Sequence, residues 1–172
     1  MMATPTYTLI DSTVLGSDAA TVTFSSISGS YRDLVLVSEV VGDDGKTRLR
    51  FILNGDTGTN YAVVAMGGDG STAASTSYGT GVLGYFSTNY TEADQTYPIM
   101  AVTSFMDYSA TDKHTTILCR ANQPSGLVSG GNANGVEAYA GRWANTAAVT
   151  SVEVSGSGFG AGSTFYLFGI EA

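Results

Sequence analysis

Short runs of β-forming residues, separated by Gly, Ser, Asn and Asp, fill almost the whole of this 172-residue chain. No segment repeats apolar residues at helical spacing over three turns, because glycines or β-branched clusters interrupt each candidate. Several short strands at regular spacing are typical of a sandwich or a barrel. The length is that of one domain. We therefore predict an all-β fold, a single antiparallel β-sandwich of jelly-roll-like type over residues 1–172.

The clearest predicted strand covers residues 33–41, where apolar side chains alternate onto both faces. Such a strand is expected in the interior of a sheet. Residues 47–53 place leucine and phenylalanine on one face and arginine on the other, as in a half-buried antiparallel strand. The turn-forming residues 42–45 between the two runs predict a hairpin. The other predicted strands are residues 6–12, 21–24, 61–66, 82–86, 97–108, 114–121, 136–143, 151–154 and 163–170.

Two long segments rich in small and polar residues are predicted as surface loops, at residues 67–81 and 122–134. Loops of this length inside a compact domain often carry binding contacts. Helical signals are weak, and we expect at most one turn of helix at residues 91–95 or 145–148.

Composition excludes several partners. Hydrophobic residues make up 43% of the chain and charged residues 13%, so Ser, Thr, Asn and Gly must cover its surface, as is typical of extracellular or virion proteins. The net charge of −8, from 7 basic and 15 acidic side chains, repels phosphate backbones, and we expect no nucleic-acid partner. Residues 1–8 carry no signal-peptide pattern, and no apolar window is long enough to span a membrane.

The single cysteine and the single histidine are the first candidates for catalysis. Cys119 has no partner for an intramolecular disulfide and is expected to be a small buried hydrophobe. His114 lies five residues before it, and on a continuous strand the two side chains face opposite sides. A histidine-activated thiol is therefore disfavoured, and His114 is interpreted as a solvated residue at the start of a strand.

An oxygen-rich segment at residues 54–60 resembles a calcium loop, with Asn54, Asp56 and Asn60 at alternate positions. Its sixth position is Thr59, where an EF-hand needs glycine, and its twelfth is Ala65, where an EF-hand needs glutamate. A turn between strands is the favoured interpretation, because Asn-Gly and Asp-x-Gly adopt positive φ at low cost.

Other chemical patterns are equally weak. The pair Asp43-Asp44 precedes a glycine and is also interpreted as a turn. The stretch Gly67-Gly-Asp-Gly70 lacks the Lys-Ser/Thr ending of a phosphate loop. A pair of carboxylates for glycoside hydrolysis could come from five residues, but nothing in their spacing brings any two together. They are Asp94, Asp107, Asp112, Glu137 and Glu153. We predict no catalytic, cofactor-binding or metal-binding residues, and we do not expect an enzyme.

Ten tyrosines offer a different kind of site. Tyr78, Tyr85 and Tyr90 lie in or beside the loop-rich middle of the chain, where exposed rings would meet a partner protein or a glycan. Half-buried tyrosines are also ordinary in β-sandwiches, so a purely structural role stays open. These three residues are the candidate contact site.

Four sets of segments resemble a family of small β-sandwich proteins encoded by tailed bacteriophages, especially those of marine bacteria and cyanobacteria. The segments are Tyr7-Thr-Leu-Ile10 with Phe24-Ser-Ser-Ile27 and Tyr31-Arg-Asp-Leu34, then Phe51-Ile-Leu-Asn-Gly-Asp-Thr-Gly-Thr-Asn-Tyr61, then Trp143-Ala-Asn-Thr-Ala-Ala-Val-Thr-Ser-Val152, and Gly162-Ser-Thr-Phe-Tyr-Leu-Phe-Gly-Ile170. Their order and spacing cover nearly the whole chain. No catalytic residues come with the family.

The resemblance implies a structural virion surface protein that decorates or cements the capsid by binding the major capsid protein or other virion proteins. It would be assembled in the host cytoplasm and exposed on the particle as a homo-oligomer, with a trimer favoured. A terminal strand at residues 6–12 could pair with a neighbouring subunit. The alternative is a tail-associated receptor-binding module that recognises carbohydrate, and a polysaccharide-degrading enzyme is third.

Overall fold

A computed structural model describes residues 5–43, 47, 49–68, 73–78, 84–85, 98–122 and 135–171. Within these ranges the chain forms antiparallel strands and no helix, which confirms the predicted all-β fold. The strands are β1 (Tyr7–Val14), β2 (Ala19–Phe24), β3 (Asp33–Val40), β4 (Arg50–Leu53), β5 (Tyr61–Gly68), β6 (Ala73–Tyr78), β7 (Gly84–Tyr85), β8 (Ile99–Met106), β9 (Thr115–Asn122), β10 (Val136–Trp143), β11 (Val152–Phe159) and β12 (Thr164–Ile170).

The strands form two sheets with a jelly-roll core. The first has eight strands in the order β1-β12-β3-β8-β9-β10-β5-β6, and the second has four in the order β2-β11-β4-β7. The sets β1-β12-β3-β8 and β2-β11-β4-β7 together give the double-sheet arrangement of a jelly roll. The first sheet continues past β8 through β9, β10, β5 and β6, which we call the extension.

The inner faces of the two sheets enclose the core. Phe51 of β4 contacts Phe105 of β8 edge to face, with ring centroids 5.5 Å apart. Phe159 of β11 and Phe165 of β12 make a second contact between the sheets, at 5.3 Å. All four rings are fully buried, so aromatic packing holds the two layers together.

The predicted hairpin between residues 33–41 and 47–53 is wrong. β3 pairs with β12 on one side and β8 on the other, so neither of its edges is available to β4. The chain instead crosses to the second sheet, where β4 pairs with β11 and β7. The interior position predicted for β3 from its two apolar faces is confirmed.

The predicted loop at residues 67–81 contains strand β6, which pairs with β5 in continuous register. Its small residues carry no apolar alternation, so pairing with a neighbour decides its conformation. Residues 145–148 form no helical turn. The helical turn predicted at 91–95 lies outside the described residues, as does nearly all of the loop predicted at 122–134.

Candidate interaction surface

The outer face of the eight-stranded sheet carries an unusual concentration of exposed apolar side chains. Among the described residues, every large apolar side chain that is exposed lies on this face. Val136 and Met66 are 62% and 61% exposed, and Leu118 is 42% exposed. The full set is Tyr7, Leu9, Val14, Val64, Met66, Met100, Met106, Leu118 and Val136. A patch of this kind marks an interaction site more often than chance exposure does.

Strand register places four of these residues, Leu9, Leu118, Val64 and Met66, in two adjacent rows across the sheet. One row crosses the sheet from β1 to β6 as Leu9, Phe168, Val35, Ser104, Leu118, Ala140, Val64 and Ser77. The next row runs Ser12, Tyr166, Val37, Val102, Arg120, Ala138, Met66 and Ser75. With strands about 4.8 Å apart and about 3.3 Å per residue, the face measures roughly 34 by 24 Å. Its area of roughly 800 Å² matches one side of a standard protein interface.

A groove runs along β10 within this face. Ala138 and Ala140 form its floor, because their side chains are smaller than those on the neighbouring strands. Val64 and Met66 of β5 form one wall, and Leu118 of β9 lies in the other. The concavity measures about 360 Å³. It lies on β5, β10 and β9 of the extension and reaches β8, the neighbouring strand of the jelly roll, through Val102 and Ser104.

Two arginines are the charged residues of this part of the face. Arg120 lines the groove and pairs in register with Ala138, while Arg142 lies at the far end of β10. Both are exposed, and neither makes an ion pair within the described part of the chain. No acidic residue occupies an outer-face position on β8, β9, β10 or β5. The groove is therefore a local positive region on a chain of net charge −8.

This surface was not predicted, although the sequence contains a signal for it. Val102, Leu118 and Met66 face outward on strands whose inner faces are also apolar. A two-layer sandwich covers only one face of each sheet, and no helical signal supplies a third layer. An excess of strands with two apolar faces therefore indicates that one apolar face is left uncovered.

The oxygen-rich segment at residues 54–60 is a structural corner. Asn54 has a positive φ of 52° and is followed by Gly55 at 68°. The Asn54 side chain donates to the carbonyl of Ala148 at 2.8 Å and accepts from the backbone N–H groups of Thr150 and Ser151 at 2.8 and 3.1 Å. These bonds tie the loop after β4 to the segment that leads into β11.

Asp56 completes the corner. Its carboxylate accepts hydrogen bonds from the Trp143 indole N–H at 2.7 Å, the Asn60 amide at 2.8 Å and the Gly58 backbone at 2.9 Å. The Trp143 bond first, then the Asn60 bond, lowers the pKa of Asp56. Burial raises the pKa of Tyr61 to about 12, and its hydroxyl donates to the Asp56 carbonyl at 3.1 Å. Both carboxylate oxygens accept hydrogen bonds from groups of the protein, which agrees with the interpretation of this segment as a turn.

The segments that carry the family resemblance lie in the jelly roll and at its junction with the extension. The junction is the corner just described, where Tyr61 and Trp143 pair in register as β5 and β10 begin and end. Elsewhere in the jelly roll, the Tyr31 ring covers Gly169, and a Cβ at position 169 would lie 2.3 Å from that ring. The Tyr108 hydroxyl accepts from the Tyr31 N–H at 3.2 Å. These segments therefore build the framework, while the groove lies outside them.

The cysteine and the histidine do not meet. Cys119 is buried on the inner face of β9, as predicted, and burial raises the pKa of its thiol to about 12. His114 is exposed in the residue before that strand. A thiol held this far from ionisation is not an activated nucleophile.

The candidate carboxylates are dispersed. Asp107 pairs with Lys113 at 2.9 Å, and Asp112 is exposed. Glu137 is buried on the inner face of β10, where the Tyr139 hydroxyl donates to it, whereas Glu153 lies on the outer face of the second sheet. Asp94 lies outside the described residues. Within the described ranges, no three His, Cys, Asp or Glu side chains are grouped as metal ligands, and no helix is long and apolar enough to cross a membrane.

The two candidate tyrosines that the structure describes fall on strands of different sheets. Tyr78 ends β6, where it is paired in register with Val63 of the first sheet. Tyr85 lies in β7, paired with Arg50 of the second sheet. Tyr90 lies outside the described residues. The described backbone therefore places Tyr78 and Tyr85 in strands and not in a shared loop.

Comparisons with known proteins give little to set beside this geometry. No family model and no curated protein matches the chain. Among solved structures, it is similar to a crystal structure of a protein of unknown function from Shewanella oneidensis MR-1. The two are 12% identical, the alignment covers 99% of this chain and 78% of the other, and the TM-score is 0.26.

Proposed function

We propose that this chain is a structural virion surface protein of a tailed phage, which decorates and cements the capsid by binding the major capsid protein. The observation that supports the proposal best is the concentration of exposed large apolar side chains on one outer face. A sandwich that works alone in water gains nothing from such a face, whereas a protein bound to a shell in many copies buries it. The resemblance at the framework segments suggests which kind of shell.

The mechanism is the burial of added interface. Each copy would lay the outer face of its eight-stranded sheet against capsid subunits and bridge them. Ligands that bind only the assembled state stabilise it by mass action, so the shell resists heat and internal pressure better when it is decorated. No chemical step is needed for this role.

Contacts between copies would use a different surface, the edge strand β1. Among the described strands, β1 pairs only with β12, which leaves its other edge available. A register shift between Leu9 and Asp11 limits how far a neighbour could pair. We expect a homotrimer by light scattering and a monomer for Leu9→Lys, because a lysine on an edge opposes strand pairing. If this variant is still a trimer, the contact between copies does not use the edge of β1.

Particles of the encoding phage provide the main test. Cryo-electron microscopy should show density for this chain repeated across the icosahedral shell, and particles made without it should release their genome at lower temperature. Complementation with Leu118→Asp should leave the shell bare, because the carboxylate would be buried at the interface. Thr23→Asp, on the outer face of the second sheet, is the matched control and should still bind.

Density confined to the tail would contradict the decoration role. It would favour the receptor-binding alternative, for which alanine substitutions at Tyr78, Tyr85 and Tyr90 should then reduce adsorption to host cells.

A further inference from the structure

We propose that the groove along β10 binds an extended, acidic segment of the partner protein, with two carboxylates that pair with Arg120 and Arg142 and an apolar side chain between them. This rests on the proposed function, since it names the chemistry of the partner at the same face. Only the part of the face that lies on the extension is involved.

Charge indicates the sign of the partner. Only 7 basic residues occur in the chain, yet Arg120 lines this groove and Arg142 lies on the same face at the end of β10, with no acidic residue beside either. Neither Arg120 nor Arg142 makes an ion pair within the described residues. Burial of an unpaired guanidinium against a neutral partner would be costly, so a partner that covers this groove must bring carboxylates.

The same charges disfavour a second copy as the occupant. In a two-fold dimer across the groove, equivalent surfaces meet, so each Arg120 would approach the groove that holds the other. Each chain also carries a net charge of −8, and no acidic side chain that contributes to it lies at an outer-face position of β8, β9, β10 or β5. Self-association over the groove would therefore join like charges without supplying the carboxylates.

Groove dimensions indicate an extended segment. The walls on β5 and β9 are two strand spacings apart, about 9.6 Å, which admits a single strand more readily than a helix about 10–12 Å wide. Arg120 and Arg142 are four residues apart along the strands and one strand apart across them, hence about 14 Å. An extended segment spaces positions 1 and 5 by about 13 Å on one face, with position 3 between them.

The expected motif is therefore Glu-x-Leu-x-Glu in extended conformation. Its two glutamates reach the arginines, and its leucine lies over Ala138 and Ala140, next to Leu118. Arg–carboxylate pairs supply direction and register, while the apolar contact with the alanine floor supplies most of the buried area.

Nuclear magnetic resonance titration of the full chain tests this. The probe is a capped peptide, Thr-Glu-Thr-Leu-Thr-Glu-Thr, and the controls replace both glutamates by glutamine or by lysine. We expect the glutamate peptide to shift the amide signals of Ala138, Ala140 and Leu118 and to bind about three- to ten-fold more tightly than the glutamine peptide. The lysine peptide should bind more weakly still, and added salt should reduce the difference.

Variants assign the contacts. Arg120→Gln and Arg142→Gln should each weaken the glutamate peptide by about two- to five-fold and leave the glutamine peptide unchanged. Arg32→Gln is the matched control, because Arg32 is exposed away from the groove and already pairs with Asp33; it should have no effect. Thermal melting of each variant would show that the fold is retained.

Three outcomes would overturn the inference: equal binding of the glutamate and lysine peptides, signals that shift elsewhere on the chain, or no shift at all. Concentration-dependent shifts of Ala138 and Ala140 without peptide would also overturn it and identify a second copy as the occupant. The decoration role is tested separately by locating the chain on capsids. If the chain is found on capsids but does not bind the acidic peptide, only the proposed partner chemistry is wrong. If it binds the peptide but is absent from capsids, only the decoration role is wrong.

Discussion

The outer faces of the two sheets differ sharply, although both belong to the same sandwich. On the second sheet, the outer positions of β2, β11 and β4 are mostly polar, with Ile52 as a buried apolar exception; the polar ones are Thr21, Thr23, Glu153, Ser155 and Arg50. On the first sheet, the equivalent positions carry the exposed valines, leucines and methionines. Most outer positions of both sheets are accessible to water in the isolated chain. Folding alone therefore does not explain why one outer face is polar and the other apolar.

This difference distinguishes residues that the fold requires from residues that it does not require. The inner faces alone close the core, and a polar outer face costs the sandwich nothing, as the second sheet demonstrates. The apolar outer face of the first sheet therefore needs a reason outside the monomer. Four predictions test that separation, beginning with the largest expected effect.

Truncation of matched leucines compares the two faces of the first sheet. Leu36 is fully buried on the inner face of β3, whereas Leu118 is on the outer face of β9. Leu36→Ala should lower the free energy of unfolding by about 2–5 kcal/mol, since it leaves a cavity in the core. Leu118→Ala should lower it by at most about 1 kcal/mol. Urea unfolding measures both, and equal losses would mean that the outer face also serves the fold.

The corner at Asn54 should be the most sensitive polar position. Asn54→Ala removes the four side-chain bonds to residues 148–151 and places alanine at a φ of 52°. We expect a loss of roughly 2–4 kcal/mol from unpaired backbone groups and strained backbone. Asn54→Gly also removes the side-chain hydrogen bonds, but glycine adopts a positive φ without strain, so this variant should be less destabilising. If the two variants unfold alike, the positive φ contributes nothing.

Stability should fall in acid through Asp56, by a smaller amount. Its pKa in the folded chain is below the ordinary value of 3.8, chiefly because the Trp143 indole bonds the carboxylate. A depressed folded pKa contributes stability that is present above the unfolded pKa and is lost as the pH falls through the folded pKa. Unfolding of wild type between pH 6 and pH 2 should therefore show a loss below about pH 4 that Asp56→Asn reduces. An identical pH profile in the variant would assign the loss to other carboxylates.

The smallest effect on stability is expected at the two outer faces. Leu118→Asp and Thr23→Asp each add one carboxylate to an exposed position, and each should change the free energy of unfolding by about 1 kcal/mol or less. Their effects on the surface should differ, because only Leu118→Asp interrupts the apolar face. Binding of the dye ANS should fall for Leu118→Asp and stay unchanged for Thr23→Asp. A fall in both would mean that the dye does not report on this face.

Much of the fold could be predicted, because alternation of apolar residues records burial along each strand. It placed β3 in a sheet interior and turned Leu49, Phe51 and Leu53 inward, as the structure confirms. It failed at β6, whose alanines and serines carry no alternation and whose strand conformation depends on its partner β5. It failed again at the hairpin, since adjacency in sequence does not reveal that both edges of β3 are already occupied.

The candidate site was less predictable. The contact role predicted for Tyr78, Tyr85 and Tyr90 stays a prediction, and the two that are described, Tyr78 and Tyr85, lie in strands. The groove instead combines Ala138, Leu118 and Met66, which are far apart in sequence and individually ordinary. Small residues become a floor only when larger side chains on neighbouring strands stand beside them, and register decides those neighbours.

By itself, the sequence determined the all-β class and the acidic balance, because these follow from local pattern and from counting. It also determined that several strands are apolar on both faces. Only the tertiary structure decided which of those faces is covered, because one four-stranded sheet can cover only one face of an eight-stranded sheet. The second face, with its groove and its two arginines, is a product of strand order and register, which no single segment specifies.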